Sequence, residues 1–416
     1  MMQRAFLALL VLSAGRAGCT IASPSAQPPP SLYDLFATQA KATLVQLGGA
    51  LAYPTLGVAG KYGWLTSDAN NWMSGYFPGT LLQLANKTGD AALLAAGRAL
   101  TYGLASERFD TDSDNVGYIM YTSFGKLWRF HGDATAREYL FTAAASLSAR
   151  FSTTVGCLRS WNSAAPTFEV IADEMMNLEL LWWAAAETGN TTFAVIAHSH
   201  ARRMMSDVFQ PAHAGCAWHL VVYNESDGSL LSRSSTPQGL GLDTVWSRGQ
   251  AWTVNGFVIA YRYTRDAAYL TQAQAAADCF IRLLTACCGN AVYNWAPLWD
   301  FNATAPQDRV DTSAMAIAAE GIAELSAYTR GARGAAYYAF AKQLLDAAQQ
   351  YHLFNPTEND AVLRNGTTTF PVTGVSIVYG VSAAGDALNA ARSHALTATR
   401  HLLSPRARIT TFCRRR

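Results

Sequence analysis

The sequence predicts an all-α fold, a closed ring of helical hairpins with a short β-hairpin insertion. A polar turn followed by an Ala-rich segment occurs five times, an apolar helical segment precedes each turn, and strand-like segments are few. Half of the 416 residues are apolar and 14% are charged, so the chain can bury a large core. These observations exclude a disordered chain and favour stacked helices.

The repeated unit is a helix, a turn with Gly or Asp, and a second helix, which together form an αα-hairpin. Its copies recur at irregular spacings of roughly 40 to 75 residues, whereas open solenoids keep a tight period. The loops between hairpins therefore vary in length, and we expect a functional site among long loops on one face of the ring. The turns lie at residues 88–90, 131–133, 188–190, 264–266 and 329–331.

One strand-like pair interrupts the helices. The apolar residues 219–223 are followed by the turn-forming residues 224–228, which read Asn-Glu-Ser-Asp-Gly. Residues 229–233 are the expected partner strand. We predict a short β-hairpin here, inserted between helices.

The N-terminus predicts export. Arg4 precedes an apolar run at residues 5–12, and small residues follow up to Ala17, which is the pattern of a secretory signal peptide. A segment rich in Pro and Ser comes next and would break a helix of the fold. We assign residues 1–26 to the signal peptide and leader, 27–391 to the barrel, and 392–416 to an atypical basic C-terminal tail.

Cysteines and glycosylation sequons agree with a secreted, extracellular protein. Six cysteines follow Cys19, an even number that is compatible with disulfides but leaves their pairing open. Five Asn-x-Ser/Thr sequons would carry glycans in a eukaryotic host. The six cysteines are Cys157, Cys216, Cys279, Cys287, Cys288 and Cys413, and the sequons begin at Asn86, Asn190, Asn224, Asn302 and Asn365.

Charge and hydropathy exclude two classes of partner. The net charge is +2 and no basic run precedes the last three residues, so no surface for nucleic acid is predicted. After the N-terminus, no apolar run approaches the length of a membrane span. We expect a monomer without nucleic-acid or membrane partners.

Three segments combine Trp, a carboxylate or an amide, and small residues, as a sugar pocket requires. They span residues 70–79, 171–183 and 244–252. Aromatic faces stack on the C–H surfaces of pyranose rings, and polar groups read the hydroxyls. Trp-rich helices are also common in protein cores, so composition alone leaves both interpretations open.

Asp173 is the carboxylate at the start of the second segment's helix. It is either an N-cap that accepts backbone N–H groups or a catalytic acid. Apolar surroundings would raise its pKa and the helix N-terminus would lower it, and an acid that works near neutrality needs the first effect to prevail. Asn177, one turn later, shares the face of Asp173 and would orient the carboxylate or the substrate.

Two further side chains also have open interpretations. Arg248 and Trp252 lie four residues apart on a helix, so the guanidinium either stacks on the indole while reaching an anionic sugar group or forms a surface cation–π pair. His219 lies in an apolar strand, as a substrate-binding residue or as a hydrogen-bonded core histidine. The histidines show no metal-ligand spacing, and no phosphate loop or nucleophile elbow is present.

Five ordered motifs resemble those of the unsaturated glucuronyl hydrolases, glycoside hydrolase family 88. The likeness runs from about residue 72 to residue 325, and the order and spacing of the motifs make it specific. The resemblance implies an (α/α)6 barrel that uses no metal and no cofactor. The motifs lie at residues 72–79, 172–178, 236–239, 246–252 and 311–314.

The resemblance also implies a mechanism. Enzymes of this family hydrate the C4=C5 double bond of the unsaturated uronic acid that a polysaccharide lyase leaves at the non-reducing end of an oligosaccharide. The family's central Asp, which matches Asp173, gives a proton to the double bond and activates the water that adds at C5; the hemiketal then collapses and frees the neighbouring sugar. Residues that match substrate contacts of the family are Trp72, Trp161, His219, Gln238, Arg248 and Trp252.

The chain departs from the family pattern at two places. A second catalytic Asp usually lies in a His-Asp-x-Gly-Phe phrase, which here aligns that Asp with Asn115. Asn115 would hydrogen-bond the uronyl ring without supplying charge, or the alignment shifts by one residue and Asp114 takes the catalytic place. At the C-terminus, Tyr-Gly-Val-Ser at residues 379–382 replaces the usual Tyr-Gly-Asp-Tyr-Tyr-Phe.

Two alternative functions stay open. An unsaturated rhamnogalacturonyl hydrolase would share the barrel and the hydration chemistry and would differ in the subsite beyond the uronyl ring. A sugar-binding protein without turnover is favoured by Asn115 and the unusual C-terminus. Asp173 argues for an enzyme.

Overall fold

The computed structural model describes residues 32–58, 63–353, 363, 366–367 and 375–377. The predicted signal peptide and leader, the C-terminal tail at residues 392–416, and the cysteines Cys19 and Cys413 lie outside the described residues. The boundaries proposed for the barrel are therefore not tested by the fold.

Each of the five predicted turns joins two helices, so the prediction of repeated αα-hairpins is confirmed. The first helix of the second hairpin contains a π-helical turn, Tyr121–Gly125, between its two α-helical parts, Val116–Met120 and Lys126–His131. The helices are α1 Leu32–Leu47, α2 Tyr76–Thr88, α3 Ala91–Gly103, α4 Val116–Met120, α5 Lys126–His131, α6 Ala134–Ser148, α7 Leu178–Thr188, α8 Thr191–Asp207, α9 Ser247–Thr264, α10 Ala267–Cys288, α11 Thr312–Tyr328 and α12 Gly331–Ala347.

The turn sequences explain why the hairpins form at these places. At four of the five turns a left-handed residue ends the first helix, and an Asp or Asn side chain accepts a backbone N–H at the start of the second, which is worth about 1 kcal/mol per cap. Arg265, with φ of 58°, takes the left-handed place that glycine holds elsewhere. The left-handed glycines are Gly89, Gly132 and Gly189, and the N-caps are Asp90, Asp133, Asn190 and Asp266.

The two helices of a hairpin differ in burial, which defines an inner and an outer layer. In α9 every residue from Ser247 to Ala260 is buried, so this helix is surrounded by protein. In α12 the buried residues recur every three or four positions and form one stripe, which is typical of a helix with a solvent-exposed face. The first helices of the hairpins therefore line the inside of the ring, and the second helices surround them.

The predicted β-hairpin is present. Strand β6, Leu220–Asn224, pairs antiparallel with β7, Leu230–Ser234. A third strand, β5 (Thr167–Ile171), pairs with the other edge of β6 and leads directly into the 3-10 turn Ala172–Met176. The remaining strands, which the sequence analysis did not predict, are β1 Tyr53–Val58, β2 Trp64–Ser67, β3 Phe151–Ser152, β4 Cys157–Leu158 and β8 Val375–Ile377.

Four of the cysteines form disulfides. Cys216 is bonded to Cys279, and Cys287 to Cys288. Cys157 is a buried free thiol, and burial raises its pKa well above the usual value. Among the described helices, none combines the length and the apolar character needed to cross a membrane.

Candidate active site

The predicted site residues gather where several inner helices begin. Asn177 immediately precedes α7, Arg248 lies in the first turn of α9, and Asp311 is the N-cap of α11. Because free backbone N–H groups and the helix dipole favour negative charge, this end of the ring is suited to an anionic ligand.

Asp173 lies in the 3-10 turn between β5 and α7, and its side chain does not cap the helix. The N-cap of that turn is Ile171 and the N-cap of α7 is Asn177, so the capping interpretation of Asp173 is wrong. Its Oδ2 lies 3.2 Å from His219 Nε2. Its Oδ1 is buried and has no hydrogen-bond partner among the described residues. The carboxyl group thus keeps one oxygen for a ligand.

His219 connects Asp173 to an aromatic cluster. Its ring centroid lies 5.6 Å from that of Trp161 and 4.7 Å from that of Trp246, the latter edge to face. Its backbone oxygen accepts the Ala172 N–H at 2.7 Å, which fixes β6 against the turn that carries Asp173. With Nε2 on Asp173, His219 Nδ1 is buried and unpartnered among the described residues. This histidine therefore presents a second free polar atom.

Tyr118 joins Trp72 and Trp252 into an aromatic wall. The Tyr118 ring lies 5.9 Å from that of Trp72 and 5.8 Å from that of Trp252, both edge to face. Its hydroxyl donates a hydrogen bond to the Asp173 backbone oxygen at 2.8 Å. Sequence analysis did not select Tyr118, although it follows Gly117 in the phrase that was aligned with the family. Its place beside that glycine is the signal that could have identified it.

Asn177 is buried, and neither atom of its amide has a hydrogen-bond partner among the described residues. Its side chain lies against Gly117 of α4: a Cβ built on Gly117 would stand 2.2 Å from Asn177 Oδ1. Leaving a buried donor and acceptor unpaired costs about 1–3 kcal/mol per group. Ligand hydroxyl groups, which both donate and accept, would satisfy both atoms, whereas a carboxylate would satisfy the Nδ2 donor alone.

Replacing Gly117 with Ala is expected to displace the Asn177 amide and lower kcat/KM for the substrate by about 10-fold or more. The measurement is a double-mutant cycle of Gly117→Ala and Asn177→Gly, which also removes the Asn177 Cβ that would lie 2.7 Å from the new methyl group, with thermal unfolding to establish that each variant folds. If the effect acts through the Asn177 side chain, the double variant is no less active than Asn177→Gly alone. Additive losses would contradict this coupling.

Arg248 is almost completely buried, and its charge is paired within the protein. Its Nη1 lies 2.5 Å from Asp311 Oδ2 and also donates to the Thr367 backbone oxygen. The guanidinium lies 4.6 Å from the centroid of Trp246, a contact that sequence analysis did not anticipate when it considered Trp252. Arg248 therefore supports the Trp246 side of the pocket.

Of the two candidate positions, 114 and 115, it is position 114 that places a buried side chain, the Asp114 carboxyl group, at the site. Burial raises the pKa of Asp114 to about 6, and the Asp173 charge contributes in the same direction. Asn115 is partly exposed and makes no capping hydrogen bond at the start of α4. The Asp114 carboxyl group contacts Glu174, which lies within the motif at residues 172–178 but was not predicted as a site residue.

Gln238 lies in the loop between β7 and α9. It follows the Thr236–Pro237 peptide in a loop that the buried carboxylate of Asp300 holds through Leu240 N–H and the Thr244 hydroxyl. Gln238 Oε1 is buried, and it makes no hydrogen bond within the described part of the chain. Nor do the described residues contain a group of His, Cys, Asp and Glu that could hold a metal ion.

Comparison with known proteins identifies the family. An unsaturated glucuronyl hydrolase of Formosa agariphila is 30% identical over 321 residues, which are 75% of this chain and 78% of that protein. The chain belongs to the unsaturated glucuronyl hydrolase family. The family enzyme of a Bacillus species is 28% identical over 271 residues, or 63% of the chain and 69% of the relative. No protein-family model matches the chain.

Solved structures of unsaturated glucuronyl hydrolases have the same fold. One that is specific for heparin is 28% identical and superposes with a TM-score of 0.76, covering 86% of this chain and 97% of that one. The Bacillus enzyme, 22% identical, has a TM-score of 0.77 over 89% and 96% of the two chains. The predicted (α/α)6 barrel is confirmed. The roles of individual site residues remain predictions that the geometry supports.

Proposed function

We propose that this protein removes a 4,5-unsaturated glucuronic acid from the non-reducing end of lyase-generated oligosaccharides by hydrating the C4=C5 double bond. The observation that carries the proposal is the buried Asp173 carboxyl group, which has one oxygen on His219 and the other unpartnered among the described residues. A group in this arrangement can both donate and accept a proton at a substrate. Family membership supplies the reaction class.

Binding uses the aromatic wall and the unpartnered polar atoms. The rings of Trp72, Tyr118 and Trp252 provide apolar surface for the sugar faces. The Asn177 amide and His219 Nδ1 are positioned to pair with hydroxyl or carboxylate oxygens. The nearby helix N-termini favour the uronate charge.

The reaction needs one carboxyl group that transfers protons in both directions. Asp173, protonated, gives its proton to C4, and the positive charge that develops at C5 is shared with the ring oxygen. The resulting carboxylate takes a proton from water as the hydroxide equivalent bonds to C5, which restores the acid. The C5 hemiketal opens to a ketone, and the hemiacetal left at C1 releases the neighbouring sugar with its own oxygen.

A panel of disaccharides tests the substrate class. We expect unsaturated glucuronyl disaccharides to lose the ultraviolet absorbance of their double bond and to release a reducing sugar, while saturated analogues remain intact. The relatives include an enzyme specific for heparin and an unsaturated chondroitin disaccharide hydrolase, so both backbones belong in the panel. Turnover of unsaturated rhamnogalacturonan disaccharides alone would favour the first alternative. Binding without turnover would favour the sugar-binding protein.

We also propose that the enzyme is exported and glycosylated and acts as a monomer. The signal-peptide pattern at the N-terminus and the Cys216–Cys279 disulfide fit an oxidising compartment. The sequon asparagines Asn86, Asn190 and Asn302 are exposed, as glycan attachment requires. Expression in a eukaryotic host tests this: unglycosylated protein retained in the cells would contradict it.

A further inference from the structure

Glu174 follows Asp173 and is completely buried. Its Oε2 accepts a hydrogen bond from the Ser160 hydroxyl at 3.1 Å, and Ser160 Oγ in turn accepts the Ile171 N–H. No N–H or O–H group of the described residues donates to Oε1. An ionised carboxylate in this place would leave a buried anionic oxygen without a donor, which is strongly unfavourable.

The neighbour that Glu174 contacts is another buried carboxyl group, Asp114. Two carboxyl groups in contact and out of water hold one proton between them, because two adjacent anions repel each other. Asp114 belongs to the segment before α4, whereas Glu174 belongs to the turn before α7. A proton shared by these two residues therefore joins two inner helices next to Asp173.

We propose that Glu174 is a positioning residue of the active site: it holds a proton against the Asp114 carboxylate and thereby keeps that carboxylate fixed beside Asp173. The inference rests on the proposed function, since it assigns Glu174 a part in the same reaction. It also accounts for the lack of a carboxyl group at Asn115, the position that aligns with the family's second catalytic Asp. The Asp114–Glu174 pair supplies the second acidic group of the site.

The order of proton loss follows from the directions of the two pKa shifts. Burial raises the pKa of Asp114 to about 6 and raises that of Glu174 well above its usual value, with the Asp114 charge adding to the latter. As pH rises, Asp114 ionises first, and the neutral Glu174 donates to it. At higher pH the second proton leaves, the two anions repel, and the contact is lost.

Burial keeps three other titratable groups around the pair neutral in the pH range in which the pair loses its protons. Burial raises the pKa values of Tyr118 and Cys157 far above the working range, and it lowers the pKa of His200 on α8 to about 3. The positive charge of Arg150 lowers the pKa of Asp114 and so favours its ionised form. Further groups at this end of the ring are Asp173, His219 immediately before β6 and Arg248 on α9, which Glu174→Gln leaves in place.

The test compares Glu174→Gln with Glu174→Ala. The glutamine amide donates to Asp114 at every pH, so we expect Glu174→Gln to keep kcat/KM within about 3-fold at weakly acidic pH and to lose the ionisation that the pair is expected to add to the alkaline limb of the wild-type profile. Alanine offers no donor, and we expect about 10-fold or greater loss at all pH values. Glu187→Gln, on the surface beside Arg137, is the matched control and should reproduce the wild-type profile.

A spectroscopic readout separates this inference from the proposed function. Near neutral pH, the infrared carbonyl band of a buried protonated carboxylic acid is expected in Asp173→Asn, where Asp173 itself cannot contribute, and it should be absent from the double variant Asp173→Asn/Glu174→Gln. If Asp173→Asn shows the band but wild type turns over no unsaturated disaccharide, the function is overturned and the proton pair stands. An unchanged pH profile in Glu174→Gln and an unchanged band in the double variant would overturn the inference.

Discussion

Asp173→Asn is expected to lower kcat by about 10³-fold or more while leaving the Kd for an unsaturated disaccharide within about 3-fold. The amide has nearly the same shape as the carboxyl group and keeps the contact with His219, but it cannot give a proton to C4 or take one from water. The measurements are steady-state kinetics on the double-bond absorbance and calorimetric titration of the inactive variant.

Asp346→Asn provides the control for this substitution. Asp346 is exposed and pairs with Lys342 on the surface of α12, so its loss should change kcat by less than about 2-fold. If Asp173→Asn retained more than a tenth of the wild-type kcat, Asp173 could not be the group that transfers protons to the substrate.

The largest expected effect on stability comes from Asp311→Ala. The ion pair with Arg248 is buried on both sides, with side-chain exposures of 4% and 0%, so removing the carboxylate leaves an uncompensated buried cation. The free energy of unfolding should fall by about 3–5 kcal/mol, measured by urea denaturation. The Asp311 side chain also caps α11, which adds to the loss.

Asp346→Ala is the matched control. Asp346 pairs with Lys342 at a site where the two side chains are mostly exposed, 60% and 59%. Water already solvates both groups, so the free energy of unfolding should change by less than about 1 kcal/mol. Equal losses of unfolding free energy in the two variants would show that burial of the Arg248–Asp311 pair does not increase its contribution to stability.

The helical hairpins could be predicted because their signals are local. A turn such as Thr188-Gly189-Asn190 supplies both the left-handed end of one helix and the cap of the next. The β6–β7 hairpin is local for the same reason. Strand β5 pairs with β6 across about fifty residues of chain, and short segments of this kind carry no local sign of their distant partner.

The sequence predicted which residues form the site but not which contacts these residues make with one another. The motifs led to Asp173, His219 and Trp252, yet the capping interpretation of Asp173 is excluded only by the 3-10 turn that the structure places there. Whether position 114 or 115 faces the site depends on a shift of one residue in the segment before α4. The Glu174 contact depends on two helices meeting, which only the folded ring establishes.

The reaction followed by proton NMR in D₂O tests the central claim most directly. With an unsaturated glucuronyl disaccharide, hydration predicts that the vinyl H4 signal disappears as the neighbouring sugar is released, and that the uronic acid product carries deuterium at C4. Release of the neighbouring sugar with the vinyl signal intact would show direct cleavage of the glycosidic bond and contradict the account.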